Sequence, residues 1–449
     1  MELNPREELN KKAMNSFQWF IIGICILLNI IDGFDVMVMA FTASSVSAEW
    51  ELTGSQLGAL LSAGLFGMAF GSLFLAPWAD KIGRRPLILI CLLISGFSMI
   101  AASMVQSAFQ LGFMRFITGL GIGGILASSN VIASEYASDK WRSLSVSLQS
   151  TGYAIGATVG GLIAIYLIST FGWRTVFLAG GISTLVMVAV TYFALPESLD
   201  YLLARQPKNA LEKVNALASR LGINPISSMP EVMAYQQQSK SSFSKLFSPA
   251  MGLQTIFLWL SFFLVMFGFY FVMSWTPKIL TSTGMTTTQG VTAGVLISAG
   301  GIFGAALIGL ISSKIRIFYV QAAFMGITAL LIVAFVSSTT SLNIALFLAL
   351  LLGIMVNGCV AGLYAMSPSI YGADVRATGV GYAIGFGRVG AIISPLVAGV
   401  FLDSGISPTT LYSYYAIAFI LAIVVVLSLS KSNAKHKQSY PFKSSSSTV

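Results

Sequence analysis

Charged residues are scarce in this sequence. Lysine, arginine, aspartate and glutamate make up 9% of its 449 residues, whereas 56% are hydrophobic; soluble domains carry about 25% charged residues. A soluble globular protein is therefore excluded, and a chain that crosses a membrane many times is predicted. The net charge of +9 does not indicate nucleic-acid binding, because the basic residues lie mostly in short segments between apolar runs.

Histidine and cysteine are almost absent. The single histidine, His436, lies near the C-terminus, and Cys25, Cys91 and Cys359 each lie alone in an apolar run. The cysteines and the histidine do not have the spacing of a disulfide framework or of a metal site, so we expect no metal and no cofactor. A proton carried through the membrane on a side chain must then ride on aspartate or glutamate, not on imidazole.

Twelve apolar runs are long enough to cross a bilayer, which takes about 20 residues per helix. They lie at about 17–46, 54–78, 86–105, 109–135, 143–168, 174–195, 251–280, 288–311, 317–337, 341–366, 377–402 and 410–430. The start of the chain lacks the pattern of a cleaved signal peptide. The sequence therefore predicts an all-α polytopic membrane protein with 12 transmembrane helices.

The one long polar stretch divides these spans into two groups. We predict an N-terminal six-helix half at 17–195, a linker at 196–250, a C-terminal six-helix half at 251–430, and tails at 1–16 and 431–449, the latter disordered. Lysine and arginine concentrate in the tails, the linker and alternate loops, while Glu49, Glu51 and Asp403 lie in the opposite loops. Because basic loops stay inside, both termini and the linker are predicted to be cytoplasmic.

Two carboxylates interrupt the first apolar run, in Asp32-Gly33-Phe34-Asp35. Residues three apart lie on nearly the same helix face, and each carboxylate at bilayer depth costs about 2.5–3.5 kcal/mol on insertion scales. An apolar site favours the neutral form of a carboxyl group. The pair therefore indicates a proton- or ion-handling site; the alternative is a pair of structural ion pairs.

Two further motifs carry a family resemblance. The loop after the second span reads Ala76-Pro-Trp-Ala-Asp80-Lys81-Ile-Gly83-Arg84-Arg85, and a degenerate copy, Ser313-Lys314-Ile-Arg316, follows the eighth. The first resembles the loop signature of the major facilitator superfamily. It departs from that signature only at Ala76, where the family has glycine. The Asp-Gly-Phe-Asp motif, Arg115 and Glu135 of the fourth span, and Arg388 of the eleventh resemble the superfamily's aromatic acid:proton symporters.

The resemblance implies a major facilitator fold and a role for Arg115 in proton coupling with Asp32 and Asp35. Arg115 could instead grip a substrate carboxylate or form a permanent ion pair. Arg388 lies among glycines, where a ligand could approach, and could anchor a carboxylate or form a gating or packing ion pair. Other candidates for substrate binding lie in apolar spans, where packing is the alternative role: Tyr153, Trp275, Tyr364, Tyr382 and Asn357.

Charged residues at the inner ends of the spans form a candidate gate. Glu135 is expected to form a salt-bridge cluster with Arg84 or Arg85, and Asp80 and Arg142 belong to the same group. Such a cluster can act as a latch that breaks between two states. Separately, Gly152, Gly156 and Gly160 share one face of the fifth span, which predicts close helix packing.

Taken together, the sequence predicts a secondary active transporter of the bacterial inner membrane that takes up an aromatic or related unsaturated carboxylate together with protons, working as a monomer. Its expected partners are that acid, protons and lipid, not nucleic acid. The main alternative is a proton-coupled exporter, disfavoured because the fifth span lacks the Gly-Pro pair of antiporters. A sensor would need a larger soluble domain, and no nucleophile or phosphate-binding motif supports an enzyme.

Overall fold

The computed structural model describes residues 5–229, 246–248, 251–338, 341–371 and 375–439. These residues form helices joined by short loops, and no strand occurs among them. Sixteen α-helices are described: α1 Pro5–Lys11, α2 Ser16–Glu49, α3 Gly54–Phe70, α4 Ala79–Ile82, α5 Arg84–Ala102, α6 Ala108–Tyr136, α7 Arg142–Phe171, α8 Arg174–Ala194, α9 Leu199–Arg205, α10 Ala210–Leu221, α11 Gly252–Ser282, α12 Thr287–Ser312, α13 Ile317–Ser337, α14 Leu342–Met366, α15 Arg376–Asp403 and α16 Pro408–Ser439.

Twelve membrane-spanning segments, as predicted, are found in the described part of the chain, each long and apolar enough to cross a bilayer. The second span is longer than predicted, because α3 continues through a π turn at Gly71–Leu75 and a 3-10 turn at Ala76–Trp78 into α4. The helix ends at Gly83, whose φ of 103° is a conformation that glycine adopts easily. Most of the predicted loop is therefore helical.

Local chemistry fixes where several helices begin. The Asn15 side chain accepts a hydrogen bond from the Gln18 backbone amide, and the Gln18 side chain accepts one from the Asn15 backbone amide, which is a complete capping box at the start of α2. Thr53 and Gln56 repeat this arrangement at the start of α3. Both caps satisfy helix-terminal amides that would otherwise lack partners.

The predicted linker contains two helices that the sequence analysis did not single out. The buried side chains Val214, Leu217 and Leu221 of α10 join one apolar cluster with Leu9 of α1. Residues 230–245 and 249–250 of the linker lie outside the described residues. At the other end of the chain, α16 continues to Ser439, past the predicted end of the last span at about 430, and residues 440–449 of the tail predicted to be disordered also lie outside the described residues.

Contacts group the chain into two compact units. The first comprises Met1–Ser239, Met273–Ala299 and Pro395–Asp403, and the second comprises Lys240–Val272, Gly300–Ser394 and Ser404–Val449. Two short segments from the C-terminal half of the sequence therefore belong to the first unit. A Cβ built at Gly58 of α3 would lie 2.4 Å from the carbonyl oxygen of Pro395, which shows how closely the backbones approach there.

Glycine allows α2 and α7 to pack at backbone distance inside the first unit. A Cβ at Gly156 would lie 1.8 Å from the carbonyl oxygen of Ile30, and one at Gly33 would lie 2.1 Å from that of Tyr153. Any larger residue would force the two helices apart. The close packing predicted for the fifth span is therefore present, and it holds the Asp-Gly-Phe-Asp segment of α2 in place.

Candidate functional site

The two carboxylates of α2 are buried inside the first unit. The exposed fractions of Asp32 and Asp35 are 1% and 0%. The Thr184 hydroxyl of α8 donates a hydrogen bond to Asp35 Oδ2 at 3.2 Å. Asp32 Oδ2 and Asp35 Oδ1 have no hydrogen-bond partner within the described ranges. A buried, incompletely paired carboxylate is costly, so these side chains occupy positions that packing alone does not explain.

Arg115 lies beside this pair and is 2% exposed. Its Nη2 donates to the backbone carbonyl of Asp35 at 2.8 Å, and its Nη1 lies 3.6 Å from the sulfur of Met99. Gly64 of α3 makes room for the guanidinium, because a Cβ there would lie 3.0 Å from Nη2. The structure thus brings Arg115 and Asp35 together as the sequence suggested, but the hydrogen bond runs to the backbone carbonyl of Asp35, not to its carboxylate.

Amide side chains continue the polar region one turn along α2. Asn29, which precedes Asp32 by three residues, donates to the backbone carbonyl of Gln149, and Gln149 Nε2 donates to Ser129 Oγ at 3.0 Å. All three side chains are buried. Neither Asn29 nor Thr184 was predicted from the sequence. The spacing of Asn29 from Asp32 could have identified the first, whereas nothing local identifies Thr184.

Arg388 lies in the second unit, on α15, and is half-buried. Tyr270 of α11 and Tyr364 of α14 lie close enough to interact with it electrostatically. Tyr364 is 43% exposed and packs edge-on against Phe262. Three helices therefore bring an arginine and two phenol groups together, a combination that can bind a carboxylate through charge and hydrogen bonds.

The remaining substrate-binding candidates are distributed over both units. In the second, Tyr382 is 48% exposed and stacks on Trp259, and Asn357 Nδ2 donates to the Gly353 carbonyl at 2.9 Å. In the first, Tyr153 is half-buried on α7. Trp275 is only 1% exposed and its indole N–H donates to the Pro395 carbonyl at 3.3 Å. In this arrangement Trp275 packs in the interior, and its contact with a substrate stays a prediction.

The predicted charge cluster forms at the ends of the spans near α1. Glu135 is 3% exposed and forms an ion pair with Arg84, and its Oε2 accepts a hydrogen bond from Ser198 Oγ at 2.6 Å. Arg84 also lies 3.8 Å from Asp80. Of the two arginines proposed as partners of Glu135, Arg84 is therefore the one that the structure brings to it.

Arg85 and Arg142 have other partners. The Arg85 guanidinium donates to the Tyr192 carbonyl and lies 5.5 Å from the centre of that ring. Arg142 pairs with Asp139 at 2.8 Å and donates to Asn10 Oδ1 of α1 at 2.7 Å. The contacts of this group all lie within the first unit. Its role as a gate stays a prediction.

Glu197 also belongs to this cluster, and it was not predicted from the sequence. Its Oε1 accepts hydrogen bonds from the backbone amides of Arg84 at 2.9 Å, Arg85 at 3.2 Å and Ser198 at 2.8 Å. A carboxylate at the first turn of a helix satisfies unpaired amides and complements the helix dipole. Glu197 thereby fixes the start of α5, the helix that carries Arg84.

Comparison with known proteins identifies the class of this fold. Residues 25–364 match the Major Facilitator Superfamily. The xylose transporter XylE of E. coli, in its partially occluded inward open conformation, superposes with a TM-score of 0.72 at 17% identity, covering 92% of this chain and 98% of XylE. The chain belongs to the major facilitator superfamily, and it is a membrane transporter, not an enzyme.

Curated relatives show which transporters of the superfamily this chain resembles. The chain is 30% identical to the gallate transporter of Pseudomonas putida over 95% of its own length and 94% of the relative's. It is 31% identical to the 4-hydroxybenzoate transporter PcaK of Acinetobacter baylyi over 94% of its length and 93% of the relative's. The resemblance to the aromatic acid transporters of the superfamily, read from the motifs, is thereby confirmed.

Proposed function

We propose that this protein takes up an aromatic or related unsaturated carboxylic acid together with protons, by alternating access. The observation that carries the proposal is the pair of fully buried carboxylates, Asp32 and Asp35, beside the buried Arg115. Ionisable residues inside a membrane mark ion and substrate pathways. Similarity to transporters named for gallate and 4-hydroxybenzoate supports the class of substrate.

The energetics of anion uptake favour coupling to protons. Carboxylic acids of this kind are anions at pH 7, since model carboxyl groups titrate near about 4. Moving one negative charge into a cell against an inside-negative potential costs about 2.3 kcal/mol per 100 mV. One proton cancels this electrical cost for a monoanion, and a dianion needs two. The paired aspartates offer sites for either number.

The proposed cycle assigns separate tasks to the two units. With the binding region open to the outside, Asp32 or Asp35 takes up a proton, which weakens the electrostatic hold of that carboxyl group on Arg115. The substrate carboxylate then docks on an arginine, with Arg388 as the anchor in the second unit. Neutralised charges lower the cost of closing the site, and the transporter turns inward, where acid and proton leave.

The orientation and setting are part of the same proposal. Basic residues at the ends of the spans near α1 favour cytoplasmic termini in a bacterial inner membrane. The protein works as a monomer. The cluster of Glu135, Arg84, Asp80, Arg85 and Arg142 braces this inner side and changes its pairing as the transporter switches between states.

Proton entry into proteoliposomes tests the proposal directly. Benzoate, 4-hydroxybenzoate, vanillate, protocatechuate, gallate, cis,cis-muconate and a drug-like cation would each be added outside vesicles that contain a pH-sensitive dye. We expect proton entry that depends on one or more of the acids. Proton flux with the cation alone would favour an exporter, and acid uptake without proton flux would overturn the coupling.

Asp32→Asn and Asp35→Asn test the site. Each variant removes one carboxylate without changing the size of the side chain, so we expect loss of acid accumulation against a gradient. The control is Glu212→Gln, which removes an exposed carboxylate of the first unit and should leave accumulation intact. Accumulation by either variant at the wild-type level would contradict the role of that aspartate.

A further inference from the structure

The exposed face of α15 consists of two flanks of different character. One carries Tyr382, Phe386, Val389 and Ile393, which are 48%, 40%, 42% and 36% exposed. They are spaced four, three and four residues apart, so they form a single apolar stripe along the helix. An apolar stripe on a membrane helix suits contact with lipid or with other apolar side chains, and Tyr382 and Phe386 of this stripe stack on Trp259.

The other flank carries Gly381, Gly385 and Arg388, spaced four and three residues apart. A Cβ built at Gly381 or Gly385 meets no atom within 4 Å, so both glycines border open space. Gly387 and Gly390 differ: a Cβ there would lie 3.2 Å from Phe262 and 2.4 Å from the Phe263 carbonyl. Of these four glycines, Gly387 and Gly390 therefore serve helix packing, and Gly381 and Gly385 do not.

The charge of Arg388 indicates what the open space contains. Arginine within a membrane span faces the interior of the bundle or a water-filled cavity, because lipid contact is costly. Helical side chains lean toward the N-terminus of their helix, which directs the Arg388 side chain toward the turn that contains Gly385. The open space beside Gly385 is thus on the polar side of α15, next to the Arg388, Tyr270 and Tyr364 group.

The spacing along the helix matches the size of a small ring acid. At about 1.5 Å per residue, Gly385 and Gly381 lie about 4.5 Å and 10.5 Å from Arg388 along the axis. A benzoate-type acid held by its carboxylate at Arg388 would lay its ring across Gly385. A side chain at this position would then compete with the ring and its substituents for space.

We propose that Gly385 determines which ring substituents the transporter accepts, by leaving space beside the carboxylate anchor Arg388. The inference rests on the proposed function, because it takes an aromatic carboxylate as the substrate. Acids with three ring substituents, such as gallate, depend most on this space, and unsubstituted benzoate depends on it least. Steric selection of this kind can change relative rates about 10–200-fold per methyl-sized group.

Competition between two acids tests the proposal. The ratio of gallate to benzoate uptake would be measured for the wild type, Gly385→Ala and Gly385→Val in proteoliposomes. We expect the ratio to fall with side-chain size, by at least about tenfold for Gly385→Val. The matched control is Gly309→Val on α12, since Gly309 also borders open space in the second unit but has no assigned role.

The outcomes separate this inference from the function on which it rests. A ratio that stays at the wild-type value in Gly385→Val, or that changes equally in Gly309→Val, would overturn the inference while leaving aromatic acid transport standing. A wild type that carries none of the acids of the proteoliposome panel, gallate and benzoate included, would overturn the proposed function and the inference with it. Monodisperse elution of each variant in detergent establishes that its fold is intact.

Discussion

At the scale of single residues, the buried carboxylate Glu135 links distant parts of the sequence. Its side chain meets Arg84 and Ser198, and its backbone carbonyl accepts a hydrogen bond from Arg6 of α1. Arg6 also lies 3.6 Å from Asp200. The contacts of Glu135 therefore link α6 with α1, with α5 and with the chain at Ser198.

Glu135→Gln is expected to destabilise the protein. Removing one partner of a buried ion pair costs about 3–5 kcal/mol, and we expect the lower end, about 3 kcal/mol, because Arg84 retains Asp80 at 3.8 Å. A thermal unfolding scan of the detergent-solubilised protein would show this as a lower Tm. Asp139→Asn is the control, since its pair with Arg142 is exposed and worth about 0–1 kcal/mol; equal shifts in the two variants would contradict the argument.

The charged residues of the candidate sites could be predicted from the sequence more completely than the residues that they contact. The buried acids and arginines of the spans stood out in the sequence because charge is rare there, and Arg84 was named as a possible partner of Glu135. Glu197, Ser198 and Arg6 were not, because they lie 62, 63 and 129 residues from Glu135 and no local pattern links them. Burial likewise showed Trp275 in the interior, which its sequence neighbours did not indicate.

At the scale of elements, the end of α15 caps the start of α3. The Asp403 carboxylate accepts hydrogen bonds from the Gly54 amide at 2.6 Å, the Ser55 amide at 2.8 Å and the Ser55 hydroxyl at 2.5 Å. Gly399 lies against Gly54, so the backbones touch. A carboxylate at a helix N-terminus is favoured by the exposed amides and the helix dipole. A transporter that opens at this end must break these bonds.

Asp403→Asn is therefore expected to open this end more often. Charge-assisted hydrogen bonds contribute about 1.5–3 kcal/mol, so their loss should speed modification of a buried cysteine, introduced as Ser44→Cys, by about 10- to 100-fold. Ser44 is 6% exposed and bonded to Thr281 at the same end. An impermeant maleimide added from the side opposite the termini provides the measurement.

The control for this variant is Glu51→Gln, which neutralises an exposed acid at the same end. It should leave the labelling rate of Ser44→Cys unchanged. The three native cysteines are buried, so they contribute little background. If Asp403→Asn labels no faster than the control, the cap does not hold this end closed.

The spans themselves were predictable because hydropathy is a local property that any run of about 20 residues displays. The helices of the linker were missed for a different reason. The stretch that contains α10 is polar overall and was therefore interpreted as a linker. Its apolar residues nevertheless recur with the period of a helix, at positions 210, 214, 217, 218 and 221. Similarly, the second span ends at residue 82, before Gly83, whereas the sequence predicted an end at about residue 78.

At the scale of the whole molecule, the distribution of charge predicts its orientation. In a cysteine-free background, Lys81→Cys lies at the end of the spans that carries α1, and Glu51→Cys lies at the opposite end. We expect an impermeant maleimide to label Glu51→Cys in intact cells and Lys81→Cys only after permeabilisation, because basic loops remain inside. The reverse pattern would overturn the proposed cytoplasmic position of the termini.

The docking of α1 has a consequence for the order in which the protein matures during synthesis. The residues around α1 contact positions made much later: Lys12 donates to the Gly222 carbonyl, 210 residues on, and Glu8 accepts from the Asn224 amide. At about 5–20 residues per second, a ribosome needs about 10–40 s to make that intervening chain. Helix α1 can therefore complete these contacts only after six spans and α10 have been made.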